Sequence, residues 1–190
     1  IRQGLSSLSG GILNNLTRPY GDAAIAAMSV VNRYSMLIMC VGLGIGQGFQ
    51  PVASFNYQAK EYDRVKKGLV FITCFGLVFI GIMSLLSVAF AEPIVTIFQK
   101  NPDVITIGAK ALRFSAFGMI FMAFSVPVNM LYQSIQQPTI SSVLSLIRSG
   151  AVTIPFLLIV VPFLGLPGIQ IAQPFADIVA GVISIPFILR

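Results

Sequence analysis

The chain contains no histidine and no tryptophan, only two cysteines, and only six acidic residues among 190. The lack of histidine removes the commonest general base and metal ligand. Cys40 and Cys74 both fall inside apolar runs, where cysteine packs as a small hydrophobe and not as half of a disulfide or metal pair. No nucleophile stands at a spacing that pairs it with a base, and no metal-ligand cluster occurs. The sequence therefore predicts no catalytic residue, no metal site, no organic cofactor and no enzyme. Charge is scarce as well: 9% of residues are charged, against about 25% in soluble domains. With 56% hydrophobic residues, no soluble surface can be assembled, and the chain reads as an integral membrane protein. The net charge of +6 fits cations on cytoplasmic loops better than a nucleic-acid surface.

What is abundant is apolar sequence of spanning length. A spanning helix needs roughly 20 mostly apolar residues, and six candidates follow: 2–16, 23–55, 68–91, 114–135, 139–163 and 168–189. The expected fold is all-α, a six-helix transmembrane bundle. The sequence opens at Ile1, not Met, and partway into an apolar helix, so the chain is expected to be a piece of a longer one. Glu92–Arg113 reads as amphipathic and interfacial, with Asn101 and Pro102 as N-cap and N1 of a new helix and with Asp103, Thr106, Lys110 and Arg113 on one face. The second candidate exceeds the bilayer and is expected to break or kink near Pro51. Upstream of Pro51, Gly42, Gly44, Gly46 and Gly48 form two overlapping GxxxG pairs, a pattern that lets helix backbones approach closely in lipid. Lys60, Arg64, Lys66 and Lys67 crowd the loop 56–67, which places that loop and both chain ends in the cytoplasm and the protein in the cytoplasmic membrane.

Four helices carry polar stripes at helical spacing: Gln3, Ser7, Gly10 and Asn14; Ser29, Arg33, Met36, Cys40, Gly44 and Gln47; Ser115, Gly118, Met122, Ser125, Asn129 and Tyr132; and Gln170, Gln173, Asp177, Gly181 and Ser184. One stripe alone reads as helix packing. Four in six helices read as a shared polar cavity. Counting from the expected helix starts, Arg33, Arg148 and Asp177 lie roughly 16, 15 and 14 Å deep, near the midplane of a core about 30 Å thick. Charges there are costly and face water or a partner. Asp177 is expected to pair with Arg33 or Arg148, either as a clamp between helices or as a coupling acid. The candidate substrate pathway is Gln3, Asn14, Arg33, Met36, Gln47, Met122, Asn129 and Arg148, with Asp177 as the coupling or structural ion-pair residue.

The segment QGFQPVASFNYQAKEYDRVKKG resembles the exit of the eighth helix in multidrug and toxic compound extrusion (MATE) transporters. Gln47, Gly48, Pro51, Asn56, Tyr57, Ala59 and Lys60 match that pattern, while Gln58 stands where glycine is usual. Tyr20–Tyr34 is similar to the start of the same helix. Tyr132–Pro138 resembles the family's turn between helices ten and eleven, with Gln136 and Gln137 in place of a glycine and a basic residue. The resemblance implies a C-terminal six-helix lobe that works against a partner N-terminal lobe absent from this chain. It further implies efflux of small cationic, amphipathic drugs in exchange for protons or sodium, with lipid as surroundings and no nucleic-acid partner. Acids that some sodium-coupled members carry in helices seven and ten are not present here, where Asn14, Asn15 and Asn129 stand. Two other readings remain: a flippase of lipid-linked sugars from the same superfamily, which wants a strongly cationic cavity, and a membrane scaffold without transport.

Overall fold

The computed structural model describes the backbone of residues 2–189; side chains at positions 2, 3, 5, 6, 138, 148, 149, 187 and 189 lie outside the described residues. The described backbone is all-α. Eight α-helices follow in order: α1 (Arg2–Thr17), α2 (Asp22–Gln58), α3 (Tyr62–Ala89), α4 (Ala91–Phe98), α5 (Pro102–Ser134), α6 (Pro138–Leu146), α7 (Thr153–Leu164) and α8 (Leu166–Leu189). A 3-10 turn, Arg18–Tyr20, joins α1 to α2, and a π-helical turn, Ile147–Ala151, joins α6 to α7. Among the described residues four helices are long and apolar enough to cross a membrane: α2, α3, α5 and residues 166–186 of α8. The stretch 138–164 is apolar too, but its helix is interrupted where Gly150 leaves helical geometry.

Helix α5 organises the bundle. It packs against α2, α3, α4, α6 and α8, and 72% of its most apolar window is buried, against 33% for both α2 and α3. Its start follows from local chemistry: the Asn101 side chain accepts a hydrogen bond from the Asp103 backbone N–H at 3.0 Å, and Pro102 sits where no donor is needed. Three apolar clusters run along it. Val104, Ala109 and Leu112 join Leu13, Val31, Val95, Leu157 and Ile169 at one end. Met119, Met122 and Ala123 meet Ile38 and Ile80 in the middle. Leu131 joins Phe49, Ala53, Leu69 and Ile72 at the other end.

Three expectations change. No boundary separates an interfacial segment from a spanning helix at residue 113: Asp103, Thr106, Lys110 and Arg113 are exposed, yet Val104, Ala111 and Leu112 on the opposite face are buried, so one helix runs through. Pro51 does not end α2, which continues for seven residues to Gln58; buried Phe49 and Ala53 hold the helix on α3 on either side of it. Of the four alternating glycines, only Gly46 is a close-packing site, where an added Cβ would meet the Met130 side chain at 2.9 Å. Gly42, Gly44 and Gly48 have nothing within 4 Å. The two tightest glycine contacts lie elsewhere, between α5 and α8: a Cβ on Gly118 would fall 2.5 Å from Pro174 Cα, and one on Gly181 would fall 2.6 Å from Phe121 Cβ.

The turns explain two further positions. Gly21 (φ 90) and Gly165 (φ 62) take left-handed backbone, which glycine adopts at no steric cost. Gln136 takes it too (φ 58), at the very position where the resembling turn carries glycine.

Candidate functional site

The close approach of α5 and α8 at Gly118 and Gly181 brings two buried polar faces together. On α8, Gln170, Gln173, Pro174 and Asp177 fall at i, i+3, i+4 and i+7, one side of a helix. On α5, Ser115, Met119 and Met122 face them across a cavity of about 170 Å³. Helix α2 closes the third side with Met28, Val31, Asn32, Ser35, Met36 and Met39. The cavity is graded from an exposed mouth to a buried floor. Met36 is 65% exposed and Asn32 is exposed, whereas Gln170, Asp177 and Ser115 are 3%, 5% and 9% exposed.

Unspent hydrogen-bonding capacity lies on that floor. The Gln170 side chain donates through Nε2 to the Ile107 carbonyl at 3.4 Å, but its Oε1 is buried with no hydrogen-bond partner. Pro174 has no N–H, so the Gln170 backbone carbonyl also lacks its usual donor four residues on. The space is roomy enough for several waters and smaller than the roughly 300–1,000 Å³ of drug-sized sites.

The four sequence stripes sort into two kinds. Those of α5 and α8 are largely buried, and Ser115, Met122, Gln170, Gln173 and Asp177 from them line the cavity. On α2, Ser29, Arg33, Met36, Cys40, Gly44 and Gln47 are all exposed, as are Ser7, Gly10 and Asn14 on α1. Apart from Met36 at the cavity mouth, they form an outward face and not a shared internal cavity. Of the candidate pathway, Met36, Met122 and Asp177 come together at the cavity; Asn14, Arg33, Gln47 and Asn129 do not line it. Among the described residues Arg33 takes part in no ion pair. The side chains of Gln3 and Arg148 lie outside the described residues.

Asn129 has a structural task. Its Nδ2 donates to the Ser141 carbonyl (2.9 Å) and the Ser145 hydroxyl (2.8 Å), while its Oδ1 accepts from Gln133 Nε2 (2.8 Å) and the Ser141 hydroxyl (3.3 Å). Gln133 in turn accepts from Gln50 at 3.2 Å, so α2, α5 and α6 are tied by one polar network. Sequence reasoning missed Met28, Asn32, Ser35, Met39 and Met119. The signal was available: 28, 32, 35, 36 and 39 repeat at helical spacing on α2, one step round from the stripe through Arg33. Among the described residues no group of three or more Cys, Asp and Glu side chains could hold a metal ion.

This arrangement has known counterparts. Residues 1–159 match the MatE family model. The chain belongs to the MATE transporter family. Its curated relatives include a Staphylococcus haemolyticus protein named multidrug export protein MepA, 22% identical over 87% of this chain and 36% of that protein. A Shewanella oneidensis protein named FAD transporter is 20% identical over 94% of this chain and 39% of that protein. The chain thus spans well under half the length of these relatives. Among solved structures, the Vibrio cholerae MATE transporter VcmN in its bent form superposes with a TM-score of 0.90 at 20% identity, covering 99% of this chain and 43% of that one. An inward-facing multidrug resistance MATE transporter gives 0.86 at 17% identity, covering 99% and 44%. The chain is accordingly a multi-pass membrane protein with part of the MATE fold, and no enzyme.

Proposed function

We propose that this chain is the C-terminal lobe of a secondary transporter that expels small cationic or amphipathic compounds across the cytoplasmic membrane in exchange for protons or sodium. The observation that carries the reading is Asp177, a carboxylate 5% exposed on the floor of a cavity whose mouth is open at Asn32 and Met36. Intramembrane carboxylates are costly and mark routes for ions or substrates. On this reading the lobe has six spans: α1, α2, α3, α5, α8 and the interrupted stretch 138–164. The exposed polar face of α1 and α2 turns toward an N-terminal lobe across a central cleft, because Asn14, Asn15, Arg33 and Gln47 are unsuited to lipid. The basic loop with Lys60, Arg64, Lys66 and Lys67 faces the cytoplasm.

The relatives' names leave drugs and a flavin dinucleotide as cargo classes. Among the described residues the cavity lining has one carboxylate and no basic side chain, which favours cations over a phosphate-bearing dinucleotide or a lipid-linked pyrophosphate. The test is efflux of a fluorescent organic cation from cells producing the native protein, compared with Asp177→Asn at equal membrane level. The reading predicts at least a tenfold loss of uphill efflux. Full efflux and unchanged proton or sodium coupling in the variant would remove Asp177 from the transport route.

A further inference from the structure

Five of the chain's seven methionines line one cavity: Met28, Met36 and Met39 on α2, and Met119 and Met122 on α5. The other two, Met83 and Met130, lie elsewhere. General apolar lining does not account for this, since leucine, isoleucine and phenylalanine are far more abundant in the chain and, among the described residues, contribute nothing to the same wall. We infer that the cavity is a binding site for a soft monovalent metal cation, Cu(I) or its analogue Ag(I), held by methionine thioethers.

The chemistry follows from donor type and size. Thioether sulfur is a soft, polarisable donor that selects Cu(I) over the hard cations preferred by carboxylate and carbonyl oxygen. Uncharged ligands leave the bound ion with its full positive charge, and in a membrane interior that charge needs an offset. Asp177 supplies a carboxylate on the same cavity floor, and the unpartnered Gln170 Oε1 supplies a dipole there. Thioethers have no proton to release, so occupancy requires no ligand deprotonation, unlike a thiolate site. At about 170 Å³ the cavity suits an ion with a few waters and falls short of drug-sized pockets. The inference rests on the cavity and not on the efflux reading.

The experiment measures Ag(I) bound to the purified native protein by elemental analysis after gel filtration, with Cu(I) as competitor. Cys40 and Cys74 are exposed thiols that would bind the same ion, so the background is Cys40→Ser/Cys74→Ser. One Ag(I) per chain is expected, displaced by Cu(I) and untouched by a thousandfold excess of sodium. Met36→Leu/Met119→Leu/Met122→Leu keeps side-chain volume while removing sulfur, and should weaken binding at least a hundredfold. Met122→Leu alone serves if the triple variant is not monodisperse, with at least a tenfold loss expected. Met83→Leu, outside the cavity, should bind as the background does. Absence of Ag(I) binding in the methionine-containing protein, or equal binding in the leucine variants, would overturn the inference. Drug efflux is read separately, so bound silver without efflux would sink the transport proposal and leave this one standing.

Discussion

Replacing Gly118 with alanine should loosen the bundle at its most intimate contact. The new Cβ would stand 2.5 Å from Pro174 Cα, 2.8 Å from its Cβ and 3.0 Å from its carbonyl oxygen. Carbon atoms rest about 3.5–4.0 Å apart, so α5 and α8 must separate by about 1 Å. None of the three atoms can rotate away, because two are backbone and the third belongs to a proline ring. Overpacking costs about 1–3 kcal/mol where neighbours can adjust, and a rigid neighbour puts this case at the upper end, about 3 kcal/mol. With about 2–4 °C lost per kcal/mol in a chain of this size, Gly118→Ala should lower the melting temperature by about 6–12 °C. Gly181→Ala, which meets Phe121 Cβ at 2.6 Å and its carbonyl at 2.8 Å, should behave similarly. The control is Gly81→Ala on α3, where nothing lies within 4 Å, and its effect should stay within about 1 kcal/mol. Thermal unfolding of the purified protein in detergent reads all three. A Gly118→Ala protein as stable as its parent would refute the α5–α8 contact that shapes the cavity.

Asn129→Ala should cost about 1–3 kcal/mol by leaving its partners on α6 unpaired, seen as a lowered melting temperature with the cavity residues unaltered. The Ser87 hydroxyl lies 2.9 Å from Tyr34 Oη and 2.7 Å from the Met83 carbonyl; Tyr34→Phe should cost about 1 kcal/mol in the same assay. Gln136→Gly should gain about 1 kcal/mol, since Gln136 holds a left-handed conformation that penalises any Cβ. Glu92→Gln breaks a 3.6 Å pair with Arg113 whose side chains are both at least half exposed, so its effect should stay under about 1 kcal/mol.

The membrane class and the helical content were legible in composition, because so few charges leave no means of making a wet surface. The start of α5 was legible too, since Asn101-Pro102 encodes a cap through groups within three residues. The glycine reading was not. A GxxxG pattern states that a backbone is bare, not which neighbour comes near it, and the near approaches fall at Gly118 and Gly181 and not at Gly44 and Gly48. Polar stripes share that ambiguity: the faces of α1 and α2 and those of α5 and α8 look alike as strings, and packing alone turns one pair outward and the other inward. Asp177 was picked out because a lone acid in an apolar helix is costly wherever it faces. Met28, Met39 and Met119 were passed over because methionine is ordinary in apolar helices until five of them meet.

The central claim is that the cavity between α2, α5 and α8 works through Asp177. Its most direct test is uphill efflux of a fluorescent organic cation by the native protein and by Asp177→Asn, at matched membrane level and matched melting temperature. The account predicts at least a tenfold loss of efflux in a protein that still folds. Undiminished efflux by the folded variant would contradict it.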